Sequence, residues 1–106
     1  DGARFGQANL RRASINLATL SRADFSEASL LEAALVGCDL RHARFDGASM
    51  VRAALMKSNL MQARFEGANL TSADLRGASL FQAELFHARL DDARLDLADT
   101  EGTRLR

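Results

Sequence analysis

The sequence predicts an all-β chain wound into a four-sided β-helix, a solenoid of about five coils with four pentapeptides to a coil. Three observations predict it. A large apolar residue returns at every fifth position, from Phe5, Leu10, Ile15 and Leu20 through to Leu95, with Thr100 the one interruption before Leu105. A small residue stands two places ahead of each, from Ala3, Ala8 and Ala13 to Ala98, replaced only at Cys38, Ser58 and Thr103. The phenylalanines among the large residues, Phe5, Phe25, Phe45 and Phe65, follow one another at intervals of twenty residues.

The five-residue period excludes the regular elements. On an α-helix a five-residue step turns a side chain by roughly 140°, so the leucines would spread around the whole cylinder and no apolar stripe would form. A continuous strand fails because a period of five cannot keep step with an alternation of two. A short extended stretch followed by a corner fits. Within the stretch the small and the large residue, two apart, point inward and the residue between them points outward. The remaining two residues make the corner, and Gly2, Gly37, Gly47, Gly67, Gly77 and Gly102 all fall on its second position, where a positive φ suits glycine. Only Gly6 lies elsewhere.

The number of sides comes from the phenylalanines. Four scattered at random over the large-residue positions would share one twenty-residue column roughly once in two hundred arrangements, by counting against the template. Four pentapeptides therefore make a turn, and the rings stack along one wall at the usual strand spacing of roughly 4.8 Å, giving a rod about 25 Å long.

Ala8-Asn9-Leu10, Ala23-Asp24-Phe25, Ala68-Asn69-Leu70 and Ala73-Asp74-Leu75 resemble the A-(D/N)-L-x-x signature of the pentapeptide-repeat family, and the pattern runs through essentially the whole chain. The resemblance implies a right-handed quadrilateral β-helix. Where the family favours Asp or Asn, this chain often has Arg or Ser, as at Arg44, Arg64, Arg89, Ser29 and Ser79. That position faces out, so the departure is expected to alter surface chemistry more than fold.

At 106 residues the chain reads as one solenoid domain, 1–106. Its start at Asp1 rather than Met is what a piece of a longer protein would show. Fourteen basic residues balance 14 acidic ones, and each half of the chain lies within one charge of zero, which argues against nucleic acid and anionic membrane as partners. No apolar run or signal-peptide pattern is present, so a soluble, cytoplasmic protein is expected, with a secreted effector as the alternative. One cysteine, Cys38, excludes an internal disulfide.

Catalytic motifs fail on inspection. Gly47-Ala48-Ser49 and Gly77-Ala78-Ser79 lack the second glycine of a nucleophile elbow. Cys38 replaces an inward alanine and is expected to be a small buried hydrophobe with an inert thiol. His42 and His87 occupy corners in different columns, so they do not converge on a metal. No phosphate-binding glycine loop occurs. A non-enzyme without cofactor, metal or catalytic residues is expected. Arg4, Arg44, Arg64 and Arg104 share one outward column, with Asp46 and Glu66 placed to pair with Arg44 and Arg64 in an exposed ladder.

The residue after each large one should face solvent, and most are polar. Leu31, Val36, Val51, Met56, Met61, Phe81 and Phe86 are not. The twenty-residue period sets Val51 over Leu31, Met56 over Val36 and Phe81 over Met61, with outward Ala54 over Ala34 beside the second pair. A contiguous apolar patch of this kind usually marks a contact surface. Phe5, Phe25, Phe45 and Phe65 form the structural core column. The sequence carries no capping helix and its pattern frays through Thr100 and Thr103 near outward Leu97, which is expected either of a chain whose natural caps lie outside this sequence or of one that associates, as a homodimer through a terminal coil or the apolar patch.

The leading function is a non-catalytic scaffold or protein–protein interaction module, of the bacterial type the resemblance implies, binding a protein partner through this patch, either free-standing or within a secreted effector or effector adaptor. A second reading, implied by the resemblance, is a DNA-mimicking regulator of DNA gyrase of the quinolone-resistance kind. The balanced charge opposes it, because a DNA mimic needs dense negative potential.

Overall fold

The structure, a computed structural model, describes residues 2–105. Parallel bridges join Arg4 to Asp24, Asn9 to Ser29, Ser14 to Ala34 and Thr19 to Asp39, and the same twenty-residue register continues to Glu84 and Arg104. Four pentapeptides thus carry the chain once around. The longest dimension is 28 Å, against 23 and 21 Å across.

One backbone pattern explains every wall. The outward residue donates its N–H to the small residue of the preceding coil, as Arg44 does to the Ala23 carbonyl at 2.9 Å. The large residue donates onward, Phe45 N–H to the Arg64 carbonyl at 2.7 Å, and so does the second corner residue, Gly47 N–H to the Glu66 carbonyl at 2.8 Å. The small residue closes its own corner, Ala48 N–H to the Phe45 carbonyl at 3.0 Å. With a positive φ only at its second central residue, each corner is a type II turn.

Glycine is not required for that geometry. Arg12, Leu17, Glu32, His42, Lys57 and Leu97 hold φ between 57° and 63° at the same corner position, in line with Gly37 at 68° and Gly77 at 69°. Gly6 stays outside this set because Gln7 takes the corner, at 60°.

The remaining N–H of each pentapeptide belongs to the first corner residue, and it accounts for the family's preference for Asp or Asn. Asp24 accepts from Ser26 N–H at 2.8 Å, Asn59 from Met61 at 3.1 Å, Asn69 from Thr71 at 3.1 Å and Asp74 from Arg76 at 3.2 Å. Asn9, Asp39 and Asp99 do the same for Arg11, Arg41 and Glu101. These are Asx turns. The outward middle position is therefore part of the corner's hydrogen bonding as well as of the surface, so a departure there also removes a corner cap.

The core is filled by four inward columns of large side chains. Phe25, Phe45 and Phe65 are fully buried with Leu30, Leu35, Leu40, Met50, Leu55 and Leu60, and the alanines fill the space beside the walls. The four phenylalanine rings stack at centroid distances of 4.9, 5.0 and 5.0 Å and lie within 10° of parallel. Phe5, in the first coil, is only half-buried.

Cys38 and Ser58 replace alanine on successive coils of one column and reroute its corners. Ser58 Oγ donates to the Leu35 carbonyl and accepts from Cys38 N–H at 3.0 Å, so it stands where the direct turn bond closes other corners. The Cys38 thiol reaches the Ile15 carbonyl at 2.9 Å. The buried thiol thus donates to a main-chain carbonyl while the backbone N–H of Cys38 donates to Ser58, a polar role beyond the plain hydrophobe expected. Thr100 and Thr103 do not fray the backbone either. Thr103 N–H closes its corner on the Thr100 carbonyl at 3.2 Å, and its hydroxyl reaches the Leu80 carbonyl at 3.2 Å.

Candidate functional site

Because the residue between small and large points outward and the first corner residue leans back beside it, each wall shows two outward residues per coil. The four walls differ in what they show. One carries Arg4, Asp24, Arg44, Arg64, Glu84 and Arg104 and is charged. Asp46 lies 3.6 Å from both Arg44 and Arg64, and Glu84 lies 3.8 Å from Arg64. Glu66 stands instead 4.0 Å from His87, so the ladder runs through Asp46 and Glu84. Asp24 on this wall has its carboxyl held below the ordinary range by the hydrogen bonds of Ser26 and then by Arg44 and Arg4.

Leu31 and Val51 lie on the next wall beside Ser29 and Ser49, with the corner Arg12–Glu32–Arg52 running past them. Glu32 accepts from Arg12 at 2.8 Å and Arg52 at 3.0 Å, which holds its carboxyl below the ordinary range. The third wall carries Ala34, Val36, Ala54 and Met56, flanked by Ser14 and Asn16 on one side and by the Asp74–Arg76 pair on the other. Asp74 binds the Arg76 guanidinium at 2.6 and 2.8 Å, and that pairing lowers its pKa. The fourth wall carries Met61 and Phe81, near the Arg41–Asp39 pair at 2.8 Å, where Arg41 likewise lowers the Asp39 pKa. Phe86 stands apart on the charged wall, beside Glu84.

All nine candidate surface residues, Leu31, Ala34, Val36, Val51, Ala54, Met56, Met61, Phe81 and Phe86, are partly covered and none is fully exposed. At strand spacing, same-column side chains on successive coils rest against each other, which accounts for the cover. The structure brings eight of them together as three two-coil strips on adjoining walls and leaves Phe86 outside. The large hydrophobics most open to solvent lie elsewhere, Leu17 at 80% and Leu97 at 94%. Both occupy the corner shared with Gly37, Lys57 and Gly77, and Leu17 lies across Gly37.

One strip opens into a cleft of about 450 Å³, lined by Val36, Met56, Lys57, Arg76, Gly77 and Leu97. Sequence reasoning reached Val36 and Met56 through their column but not Lys57, Arg76 or Gly77. Their signal was available in the spacing, since Lys57, Gly77 and Leu97 recur at twenty residues on the neighbouring corner. Among the described residues no helix is long and apolar enough to cross a membrane.

A sequence model of pentapeptide repeats matches residues 1–30, 23–62 and 58–96, in eight copies. The chain belongs to the pentapeptide-repeat family. Its fold is that family's right-handed β-helix. Among solved pentapeptide-repeat proteins it is similar to HetL of the cyanobacterium Nostoc sp. strain PCC 7120, a protein involved in heterocyst differentiation regulation. The match has 32% identity and a TM-score of 0.66, and covers 96% of this chain and 51% of HetL. It is similar in fold to QnrB1, a plasmid-mediated fluoroquinolone resistance protein, at 24% identity and TM-score 0.61, over 99% of this chain and 59% of QnrB1. A pentapeptide-repeat protein of the Arabidopsis thaliana thylakoid lumen matches at 23% identity and TM-score 0.59, over 96% of this chain and 61% of its own. The chain thus spans about half the length of HetL. No curated protein matches it.

Proposed function

We propose that this pentapeptide-repeat chain is a non-catalytic scaffold and protein–protein interaction module, a rigid solenoid of about five coils that presents side chains in fixed columns. The observation that carries the reading is the stacking of Leu31 with Val51, Val36 with Met56 and Met61 with Phe81 in the outward columns, where most other residues are polar. Mid-chain coils keep these strips at a fixed spacing, so a partner meets a pre-organised surface and little ordering is lost on binding. HetL is described as involved in regulation, which supports a binding role for a chain 32% identical to it.

The gyrase reading draws on QnrB1 through fold likeness alone, and equal numbers of acidic and basic residues oppose it. The test is the double replacement of Val36 and Met56 by Asp, with circular dichroism to show that the solenoid persists. Sedimentation then reports self-association, and affinity capture from the source cell reports partners. Loss of either association supports the module; if both are unchanged, the strip is packing between coils and the reading fails.

A further inference from the structure

Resting on the interaction reading above, we infer that the cleft beside Ala54 docks an extended peptide segment in which an acidic residue adjoins a large apolar one. Three features of the cleft define that partner. Val36 and Met56 form one apolar side and Leu97, 94% exposed, forms the other. This pair of surfaces accepts an aliphatic or aromatic side chain.

The second feature is an uncompensated charge. Lys57, the chain's single lysine, runs its stem along Gly77, with Cγ 3.5 Å from the place a Cβ there would take. Its ammonium has no ion-pair partner among the described residues, whereas the neighbouring cation, Arg76, is bound to Asp74 at 2.6 and 2.8 Å. One positive charge therefore faces the cleft unpaired, and an incoming carboxylate complements it.

The third feature is a main-chain donor. On this wall the first-corner N–H of Val36 is capped by Asn16 Oδ1 at 2.9 Å, and that of Arg76 by Asp74 Oδ1 at 3.2 Å. Between them the outward residue is Ala54, which offers no acceptor, and Met56 N–H has none among the described residues. It is aimed outward like its capped neighbours, so a partner's carbonyl can fill the acceptor position that Asp74 fills one coil on. Main-chain acceptance with side-chain anchoring is the recognition an extended segment provides.

A second copy of the chain fits this edge poorly. Lys57 lies midway between Leu17 and Leu97 on one corner, so a two-fold pairing along that corner would set Lys57 against the same residue of the other copy.

The test uses random 12-residue peptides displayed on phage, selected on the 106-residue chain, then synthesised with a fluorescent label and measured by anisotropy. Selected peptides are expected to place Asp or Glu beside Leu, Ile or Phe. Affinity is expected to fall about tenfold or more with Lys57→Gln, Leu97→Ser and Ala54→Asn, and to weaken as salt is raised. Ala54→Asn is the decisive variant. It caps Met56 N–H from within the chain as Asn59 caps Met61, in a residue the repeat already accepts, so the fold stands. Peptides without acidic enrichment, or binding indifferent to Lys57→Gln and Ala54→Asn, overturn the inference. If binding then responds instead to Val51→Asp or Phe81→Ser, the interaction reading survives on another wall. Selection of no peptide at all overturns the inference, while the interaction reading stands or falls on the self-association and capture measurements.

Discussion

Phe45 lies between Phe25 and Phe65 with ring centroids 5.0 Å away on each side, and no part of it reaches solvent. Replacing it with alanine removes about 1.5–3 kcal/mol of burial and two stacked pairs at ~0.5–1.5 kcal/mol each. The sum, about 2.5–6 kcal/mol, brackets the usual ~3–5 kcal/mol cost of emptying a buried phenylalanine site. Phe5→Ala supplies the internal control. Phe5 is half-buried and stacks on one neighbour, at 4.9 Å, so its loss is expected to cost about 1–3 kcal/mol. Urea titrations followed by far-ultraviolet circular dichroism give both values from the shift in midpoint at a common slope. A loss below ~1 kcal/mol at Phe45, or a Phe5 variant as damaged as the Phe45 one, would refute the view that the column is the central source of stability.

Three further outcomes are expected. Ser58→Ala should cost under ~1 kcal/mol, because Cys38 N–H can then bond the Leu35 carbonyl directly as other corners do, whereas Ser58→Val blocks that closure and should cost about 2–4 kcal/mol in thermal or urea unfolding. Gly67→Ala and Gly37→Ala should each cost about 1 kcal/mol from the positive φ, and differ by less than ~0.5 kcal/mol in paired melts. Gly67 meets open space, and the Leu17 Cδ2 that Gly37→Ala approaches at 2.9 Å is the free end of an exposed side chain. Stability should also fall on acidification. Asp39 and Asp74 have folded pKa values below the reference value of 3.8, so they stabilise the fold above that pH and cease to as the pH drops through their lowered values. Joint Asp39→Asn and Asp74→Asn substitution keeps the corner caps and removes the titrating groups, so the melting temperature should decline less steeply below pH ~4 than in the wild type. An equally steep decline would assign the acid sensitivity elsewhere.

The frame was legible because one period sets both the backbone and the core. Phe5, Phe25, Phe45 and Phe65 carry the coil length in their numbering, and the glycine column marks the corner residue whose positive φ Leu17 and Lys57 also adopt. The corner caps were less legible, since Asp24 and Asn59 look like surface residues until the direction of the Ser26 and Met61 N–H groups is known. The cleft was half legible. Column arithmetic places Met56 over Val36, but the lean of Lys57 across Gly77 is a matter of rotamer and empty space, which a period does not encode. The Ser58 bridge needed the same three-dimensional view, although Cys38 and Ser58 stand twenty residues apart.

The twenty-residue register also governs what insertions and deletions do to this chain. Removing any five residues between Val36 and Met56 leaves every corner intact yet screws the remainder of the molecule through a quarter turn. Met56 would then arrive in the column of Leu31, and Phe65 would leave the phenylalanine stack for the column of Leu60. Removing twenty would shorten the rod by one layer and return every downstream side chain to its own column. Length can therefore drift in whole layers with the surface design preserved, while a single pentapeptide gained or lost deals a new set of neighbours from the same residues.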